Sequence, residues 1–356
     1  MDRISSSSKR KSGSSPKRKS GSSPKRKSSR SPRGKRDYLT NLLSMNGPNP
    51  LSYLSIPDLI NLSQVNEEIK NKTYHYHSYP LKSTTWNLNN KNIGDKEIIE
   101  IANSPYLKKI RKLNLSENNI GPKGAIAIAN SPYSENLREL NLSKNHIGAE
   151  GCRAIARSKI LVLQLEKLIL SDNNIGPTAL QSFCPGRSTE FSNFLISEGI
   201  YYTPLRYLDL SINNIGDNGL KPFTNPTTHV VLRLNHLNLR RNNIGDEGAI
   251  AIIRSDISRG LQELNLSFNK IGDKGGRAFA NMQNTGILKE LNLFGNNIGL
   301  ETVIKLIKSP ALSSSSEFEI LNVVANNFDQ ENEETAEAIE EAVSKSSIKY
   351  IEWVEE

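Results

Sequence analysis

A recurring unit of roughly 27–30 residues constrains the fold of this chain more than any other feature of its sequence. The shared part of the unit reads Leu-x-x-Leu-x-Leu-x-x-Asn-x-Ile-Gly. Strong copies such as LNLSENNIG begin at Leu113, Leu140, Leu168, Leu208, Leu237, Leu264 and Leu291. A degenerate copy opens the array at Trp86, and two weaker copies close it around Leu321 and Ile351. Together these copies make about ten units, which indicates a repeat architecture.

The residue types explain what one unit builds. The alternating Leu-x-Leu predicts a short strand whose leucines point into a core while the residues between them face outward. The next Asn, such as Asn118 or Asn242, can bond backbone groups that the turn would leave unpaired, so these amides should form a ladder. Alanine-rich segments such as GDEGAIAIIRS then predict a helix lying close to the strands. Each unit buries its apolar face only against its neighbours, as in a solenoid.

The NxIGxxG turn and the alanine-rich helix resemble the leucine-rich repeats of the ribonuclease-inhibitor class. The resemblance covers residues 84–356. It implies an α/β horseshoe, here of about ten repeats in a domain over residues 83–356, whose strands line a concave face that binds another protein. It does not select one function, since this class serves in inhibitors, innate-immune sensors, GTPase activators and ubiquitin-ligase adaptors.

The outward strand residues predict where a partner binds. Their middle column is mostly asparagine, which indicates repeat consensus more than specificity. Toward the C-terminal half, other columns become apolar and aromatic beside arginine, the composition of binding hot spots. The predicted partner-binding residues are Tyr207, Ile212, His236, Arg240, Arg241, Phe268, Phe294, Ile320 and Val324. The alternative is that an adjacent loop covers some of these side chains.

One unit is longer than the rest. The spacing from Leu168 to Leu208 is 40 residues, which places about a dozen extra residues within CPGRSTEFSNFLISEGIYY. We expect this insertion to be a loop on the helical side or the rim, with an accessory contact site as the alternative.

Residues 1–36 form a basic tail with a net charge of +13, attached to a body with a net charge of −4. The tail repeats KRKSGSSP-like octads and has almost no apolar surface, so we expect disorder. Clustered basic residues favour nuclear import or sequence-blind nucleic-acid contact, and a solubilising tail is the alternative. The basic candidates are Lys17, Arg18, Lys19, Lys25, Arg26 and Lys27. Proline-directed phosphorylation is predicted at Ser15, Ser23 and Ser31, where it would weaken phosphate contacts.

Residues 37–82 are neither tail nor repeat. The string LSYLSIPDLINLSQVNEEIKN resembles the second half of an F-box, a helical motif that docks on the Skp adaptor of cullin-based ubiquitin ligases. That resemblance implies adaptor docking through Leu51, Leu54, Ile56, Pro57, Leu59 and Leu62. The first half departs from the pattern, because Gly47, Pro48 and Pro50 would break the expected helix. The alternative is a helical cap on the open end of the solenoid.

The sequence offers no sign of an enzyme, a cofactor or a metal site. It has no GxGxxG or GK[ST] loop, and His75 and His77 form a lone HxH. With no apolar run of about 18 residues and no secretory signal, we expect a cytoplasmic or nuclear protein with reduced Cys152 and Cys184. The predicted function is a protein-binding scaffold, as an F-box-type substrate recruiter. The alternative is a free-standing regulator, such as a small-GTPase activator or an inhibitor-like binder, directed to the nucleus or nucleic acid by its tail.

Overall fold

The computed structural model describes residues 84–178, 180–183, 190–199, 202–224, 232–282, 287–313 and 317–354. Several sequence predictions fall outside these ranges. They are the basic tail with its phosphorylation candidates, the F-box-like segment 37–82 with His75 and His77, Cys184 and the first part of the insertion.

Ten three-residue strands form one open sheet in which every strand pairs in parallel with its sequence neighbours. The register is strict, since the first leucine of each unit faces the first leucine of the next, as Leu113 faces Leu140. The predicted α/β solenoid of ten units is confirmed, and we number each unit after its strand. The strands are β1 Thr85–Asn87, β2 Lys112–Asn114, β3 Glu139–Asn141, β4 Lys167–Ile169, β5 Tyr207–Asp209, β6 His236–Asn238, β7 Glu263–Asn265, β8 Glu290–Asn292, β9 Ile320–Asn322 and β10 Tyr350–Glu352.

Helices alternate with the strands, as the alanine-rich segments predicted. The α-helices are α1 Asp95–Ala102, α2 Pro122–Asn130, α3 Gly148–Ala156, α4 Glu190–Ser197, α5 Gly216–Leu220, α6 Asp246–Arg254, α7 Asp273–Ala280, α8 Leu300–Ile307, α9 Pro310–Ser313 and α10 Glu333–Ser344. Short 3₁₀ segments lie at Pro105–Lys109, Leu161–Leu163, Leu180–Ser182, Lys221–Thr224 and Asp256–Arg259.

The core lies between the sheet and the helices. Both leucines of each Leu-x-Leu are buried, as Leu113 and Leu115 illustrate, and the inward helix residues such as Ile128 meet them. Each such leucine or isoleucine contributes roughly 1.5–3 kcal/mol by leaving water. Because the units repeat this burial, the sheet's opposite face is free to vary without loss of the core.

A ladder of buried or half-buried asparagines closes the turns after β2–β9, as the sequence predicted. Asn242 is fully buried and donates from Nδ2 to the carbonyl oxygens of Leu210 (2.9 Å) and Arg240 (3.2 Å). Its Oδ1 accepts from the backbone N–H groups of Asn213 (3.0 Å) and Ile215 (3.2 Å) in the preceding unit. One amide therefore satisfies groups of two units, which ties them together. The same position is held by Asn118, Asn145, Asn173, Asn213, Asn269, Asn296 and Asn326.

Aspartates provide a second connection between units, and the sequence reading missed it. The N-cap of α7 is Gly272, which has no side-chain acceptor for the first N–H groups of that helix. The carboxylate of Asp246, in the preceding unit, accepts from the N–H groups of Gly272 (2.8 Å) and Gly275 (2.7 Å). Asp95 and Asp217 serve the next helix in the same way, and Asp273 accepts from the N–H of Gly299 and from the Thr302 side chain. A Cβ at residue 275 would lie 2.8 Å from Asp246 Oδ1, so glycine makes room for this cap.

The described part of the insertion is a packed helix, so the expectation of a loop there is wrong. Two of its residues, Phe191 and Leu195, are buried and pack with Val162 and Phe194. The apolar spacing of these residues lets the helix cover a mostly apolar cavity of about 40 Å³ next to Leu161 and Leu165. The insertion therefore extends the core locally.

Candidate protein-binding face of the sheet

Units 1–9 each have four positions before, between and after their two core leucines, and together we call these positions the sheet face. In unit 6 the first position is His236, the second is Asn238, the third is Arg240 and the fourth is Arg241. The first two lie on the strand, and the last two lie on the turn that follows it. Side chains at one position of successive units form a row across the parallel strands.

The second row is mostly structural. Asn265 Oδ1 accepts from the backbone N–H and the hydroxyl of Ser267, and Asn238 Oδ1 accepts from the backbone N–H of Arg240 (3.1 Å). Asn238 also donates to Asp209 in the neighbouring unit (3.1 Å). These asparagines satisfy the turn, as their repetition in the sequence indicated, and they separate the first row from the third and fourth.

The fourth row carries backbone strain at two large apolar residues. Most units place this residue in the left-handed region, where Asn and Gly are tolerated and bulky residues are disfavoured. Ile212 has φ +58° and Phe268 has φ +55°. Each costs on the order of 1 kcal/mol relative to a residue suited to that conformation. Ile212 is also exposed, with 43 % of its surface open to solvent, so its burial does not explain its presence.

Phe268 is the centre of a cluster on the turns of units 6–8. The guanidinium groups of Arg240 and Arg241 lie 4.4 Å and 4.7 Å from its ring centroid, and the ring of Phe294 lies 4.8 Å away. Gly295 holds the fourth position of unit 8 with φ +64°, and a Cβ there would lie 3.1 Å from the Phe268 ring. The absence of a side chain at Gly295 thus makes room for Phe268. We call these five residues the arginine–phenylalanine cluster.

The first row forms a separate, polar chain of contacts. Lys167 Nζ lies 4.2 Å from the ring centroid of Tyr207, whose ring is 5.5 Å from that of His236. His236 Nδ1 lies 2.7 Å from Glu263 Oε2 and makes no hydrogen bond within the described residues. Burial raises the pKa of Tyr207, and the charges of Asp209 and Glu263 raise it further.

The next residue of this row, Glu290, is a half-buried carboxylate. Burial raises the pKa of Glu290, and the nearby charges of Glu263 and Glu352 raise it further, while His236 lowers it. The first row is therefore acidic at units 7 and 8, and its carboxylate at Glu290 is partly desolvated.

The predicted binding residues divide between these two groups. The structure brings Arg240, Arg241, Phe268 and Phe294 together, and it brings Tyr207 and His236 together. Ile212 joins the first group through the backbone, since its N–H donates to the Arg240 carbonyl (2.8 Å). Ile320 lies half-buried in the first row, beside Glu290.

The prediction that Val324 faces a partner is wrong, because its side chain is only 4 % exposed. Val324 holds the third position of unit 9, where the chain turns back toward the core. Ser116, Ser211 and Ser267 are buried at the same position in other units. A small side chain at this position is buried within the turn, whereas the long side chain of Arg240 extends out of it.

Other kinds of site find little support in the described residues. No group of three His, Cys, Asp or Glu side chains among them is arranged to hold a metal ion. None of the helices in those ranges is long and apolar enough to cross a bilayer. Cys152 is buried, and burial raises the pKa of its thiol to about 12, which disfavours the reactive thiolate.

Comparison with known proteins agrees with this architecture. The sequence model of the family described as Leucine Rich repeat matches seven segments of the chain. They are residues 106–129, 133–156, 165–184, 203–223, 234–252, 258–280 and 288–306. Together with the ten-stranded parallel sheet, these matches identify the described part of the chain as an α/β leucine-rich-repeat solenoid. The comparison with curated proteins gives no match to this chain.

Proposed function

We propose that the chain is a protein-binding scaffold whose partner contacts the C-terminal half of the sheet face, at units 5–8. The observation that carries the proposal is the arginine–phenylalanine cluster with the neighbouring Ile212. Aromatic residues and arginine dominate the energetics of protein interfaces, and here they stand on a rigid, regular surface.

Backbone strain supports the same surface. Ile212 and Phe268 occupy left-handed backbone positions that Asn or Gly would fill at lower cost. Local burial does not offset this cost at Ile212, which is 43 % exposed, whereas the contacts of Phe268 with Arg240, Arg241 and Phe294 offset part of it. Binding energy gained when these side chains are covered by a partner would account for both, since large apolar groups contribute most when an interface buries them.

The test compares two variants of the full chain by affinity recovery from cells and mass spectrometry. Phe268→Ala with Phe294→Ala removes both rings and should abolish recovery of the partner. Lys144→Ala with Glu117→Ala is the matched control, because it removes an exposed ion pair from the fourth row of units 2 and 3. Thermal melts of both variants establish that each is folded. Equal recovery by the two folded variants would contradict the proposal.

A finer proposal is that the scaffold recruits substrates to a cullin-based ubiquitin ligase. Its support is the F-box-like sequence of residues 51–71, which lies outside the described residues. The adaptor and the cullin should be recovered with the full chain and lost when residues 37–82 are deleted or when Leu59→Asp is introduced. If neither protein accompanies the full chain, residues 37–82 act only as a cap.

The alternative proposal is a free-standing regulator, for example of a small GTPase. Its support is that Arg240 and Arg241 stand on the sheet face, where they could reach a nucleotide site. The rate of GTP hydrolysis by a recovered GTPase, measured with and without the chain, distinguishes this function from passive binding. A basic tail that directs the regulator to nucleic acid should show binding that weakens steeply with added salt.

A further inference from the structure

Charged side chains of the N-terminal units are paired between neighbours. Lys112 contacts Glu139 at 2.6 Å, and Lys144 contacts Glu117 at 2.9 Å. Such exposed pairs contribute little to stability, but they leave no net charge on that part of the sheet face. In the C-terminal units the charged side chains are less completely paired, and the two signs of charge lie on opposite edges of the strands.

The arginines of unit 6 lack acidic partners. Among the described residues, no carboxylate oxygen lies within 4.0 Å of the guanidinium nitrogens of Arg240 or Arg241. Both groups instead lie against Phe268, on the turn side of the strands. This edge of the sheet face therefore carries two positive charges beside apolar rings.

The opposite edge of the same strands is acidic. Glu263 and Glu290 face each other in register on β7 and β8. Within the described ranges, no cationic nitrogen lies within 4.0 Å of Glu290, and its sequence neighbour Lys289 pairs with Glu317 at 3.3 Å. The raised pKa of Glu290 reflects the same situation, a partly desolvated carboxylate near like charges. A cation brought to this place would relieve both effects.

We propose that units 6–8 bind an extended segment of the partner protein that carries acidic residues at one end, an apolar residue in the middle and basic residues at the other end. The acidic end pairs with Arg240 and Arg241, the apolar residue packs on Phe268 and Phe294, and the basic end pairs with Glu290 and Glu263. This inference rests on the proposed scaffold function and names the chemistry of its ligand.

The spacing of the two edges sets the spacing of the ligand's charges. The first and third positions of a unit are four residues apart along the chain, which is at most about 13 Å at the rise of a strand because the third position lies on the turn. Units 6 and 8 are two strands apart, which adds roughly 10 Å across the sheet. The two ends of an extended ligand should therefore be about four to five residues apart. The unequal edges also fix which end of the ligand lies at which edge.

The test is a selection from a display library of random peptides about ten residues long, with the purified full chain as bait. Selected peptides should be enriched in Asp or Glu at one end and in Lys or Arg about four to five residues away, with an apolar residue between. The variant R240E/R241E makes both edges acidic and should select peptides that are basic at both ends. The variant E263K/E290K makes both edges basic and should select peptides that are acidic at both ends.

Affinity of the best peptide, measured by fluorescence anisotropy, gives the magnitude. R240Q/R241Q should weaken binding by about fivefold or more, because two charge pairs are lost. K144Q is the control and should leave affinity unchanged, since Lys144 stands in the same face but outside units 6–8. Circular dichroism of each variant establishes that the repeats remain folded.

Failure of the inference is separable from failure of the scaffold function. Peptides without charge polarity, a selection unchanged by R240E/R241E, or no enriched peptide at all would overturn the bipolar ligand. The scaffold function would still stand if Phe268→Ala with Phe294→Ala abolished recovery of the cellular partner. Unchanged recovery would overturn both.

Discussion

Replacing Asp246 by alanine tests whether aspartates cap the helix of the next unit. The change leaves the N–H groups of Gly272 and Gly275 without the carboxylate that accepts from both, at 2.8 Å and 2.7 Å. Loss of an N-cap acceptor costs about 1 kcal/mol, and a hydrogen bond to a charged group contributes about 1.5–3 kcal/mol. Asp246 is partly exposed, so water replaces some of this. We expect a loss of about 2 kcal/mol in the free energy of unfolding.

The neighbouring Glu247 provides a matched control. It also lies in the first turn of α6, and it also reaches the next unit, where it contacts Lys274 at 2.5 Å. Its side chain is exposed, so Glu247→Ala should change stability too little to measure. Because both acids face the same helix dipole, the difference between the two variants isolates the cap. Asp246→Asn keeps an acceptor oxygen and should fall between them.

The assay is urea unfolding followed by far-ultraviolet circular dichroism, with the midpoint compared at constant slope. Equal losses for Asp246→Ala and Glu247→Ala would refute the cap and assign the effect to charge in the first turn. A large loss for Asp246→Ala with a changed slope would mean that the units unfold separately. In that case the midpoint would report the weakest interface of the array.

Three further side chains, Asn242, Cys152 and Asp273, are expected to show the effect of their burial or hydrogen bonds. Asn242→Ala removes four ladder hydrogen bonds and should cost about 3 kcal/mol or more in urea unfolding. Cys152 should resist thiol reagents at neutral pH until the chain is unfolded, because burial raises its pKa to about 12. The bonds that Asp273 accepts from Thr302 and from the backbone of Gly299 lower its pKa below 3.8. Its stabilisation is therefore present above pH 3.8 and lost as pH falls through the lowered value, so the stability difference from Asp273→Asn should vanish in acid.

The repeat units could be predicted from sequence because each has a local cause. Leucine alternation sets the strand, and the buried Asn serves backbone groups that every unit exposes at its turn. The ladder is therefore predicted from the residue type at one position of the repeat, and it is confirmed at Asn118. That side chain also accepts from the backbone of Lys91, which replaces Asn in the first unit.

The errors concern features that depend on contacts between units. Val324 occupies an outward position by count, yet the turn carries its side chain back into the core. The insertion contains Phe191 and Leu195 at helical spacing, which indicates a packed helix, whereas the extra length of the unit alone suggests a loop. The cap by Asp246 could not be predicted from one unit alone, because it depends on where the glycines at the start of the next helix lie. A signal was present, since Asp follows Ile-Gly in units 1, 5, 6 and 7.

The proposed binding residues are a different case, because they stand out as residues that the local backbone conformation disfavours. Phe268 and Ile212 stand at a backbone conformation that disfavours their side chains, in a row where other units place Asn, Gly, Ala or charged residues. Ile212 is in addition 43 % exposed, and Phe268 is half-buried against Arg240, Arg241 and Phe294. A residue that breaks a local rule in this way is expected at a functional surface, where a partner would cover it. Gly295 strengthens the argument, because its lack of a side chain leaves room for the ring of Phe268. Gly295 itself suits the left-handed conformation of this row, so its place beside Phe268 combines low backbone cost in unit 8 with room for the ring of unit 7. That arrangement lets Phe268 lie with Arg240, Arg241 and Phe294 on one surface, which is what a shared binding surface requires.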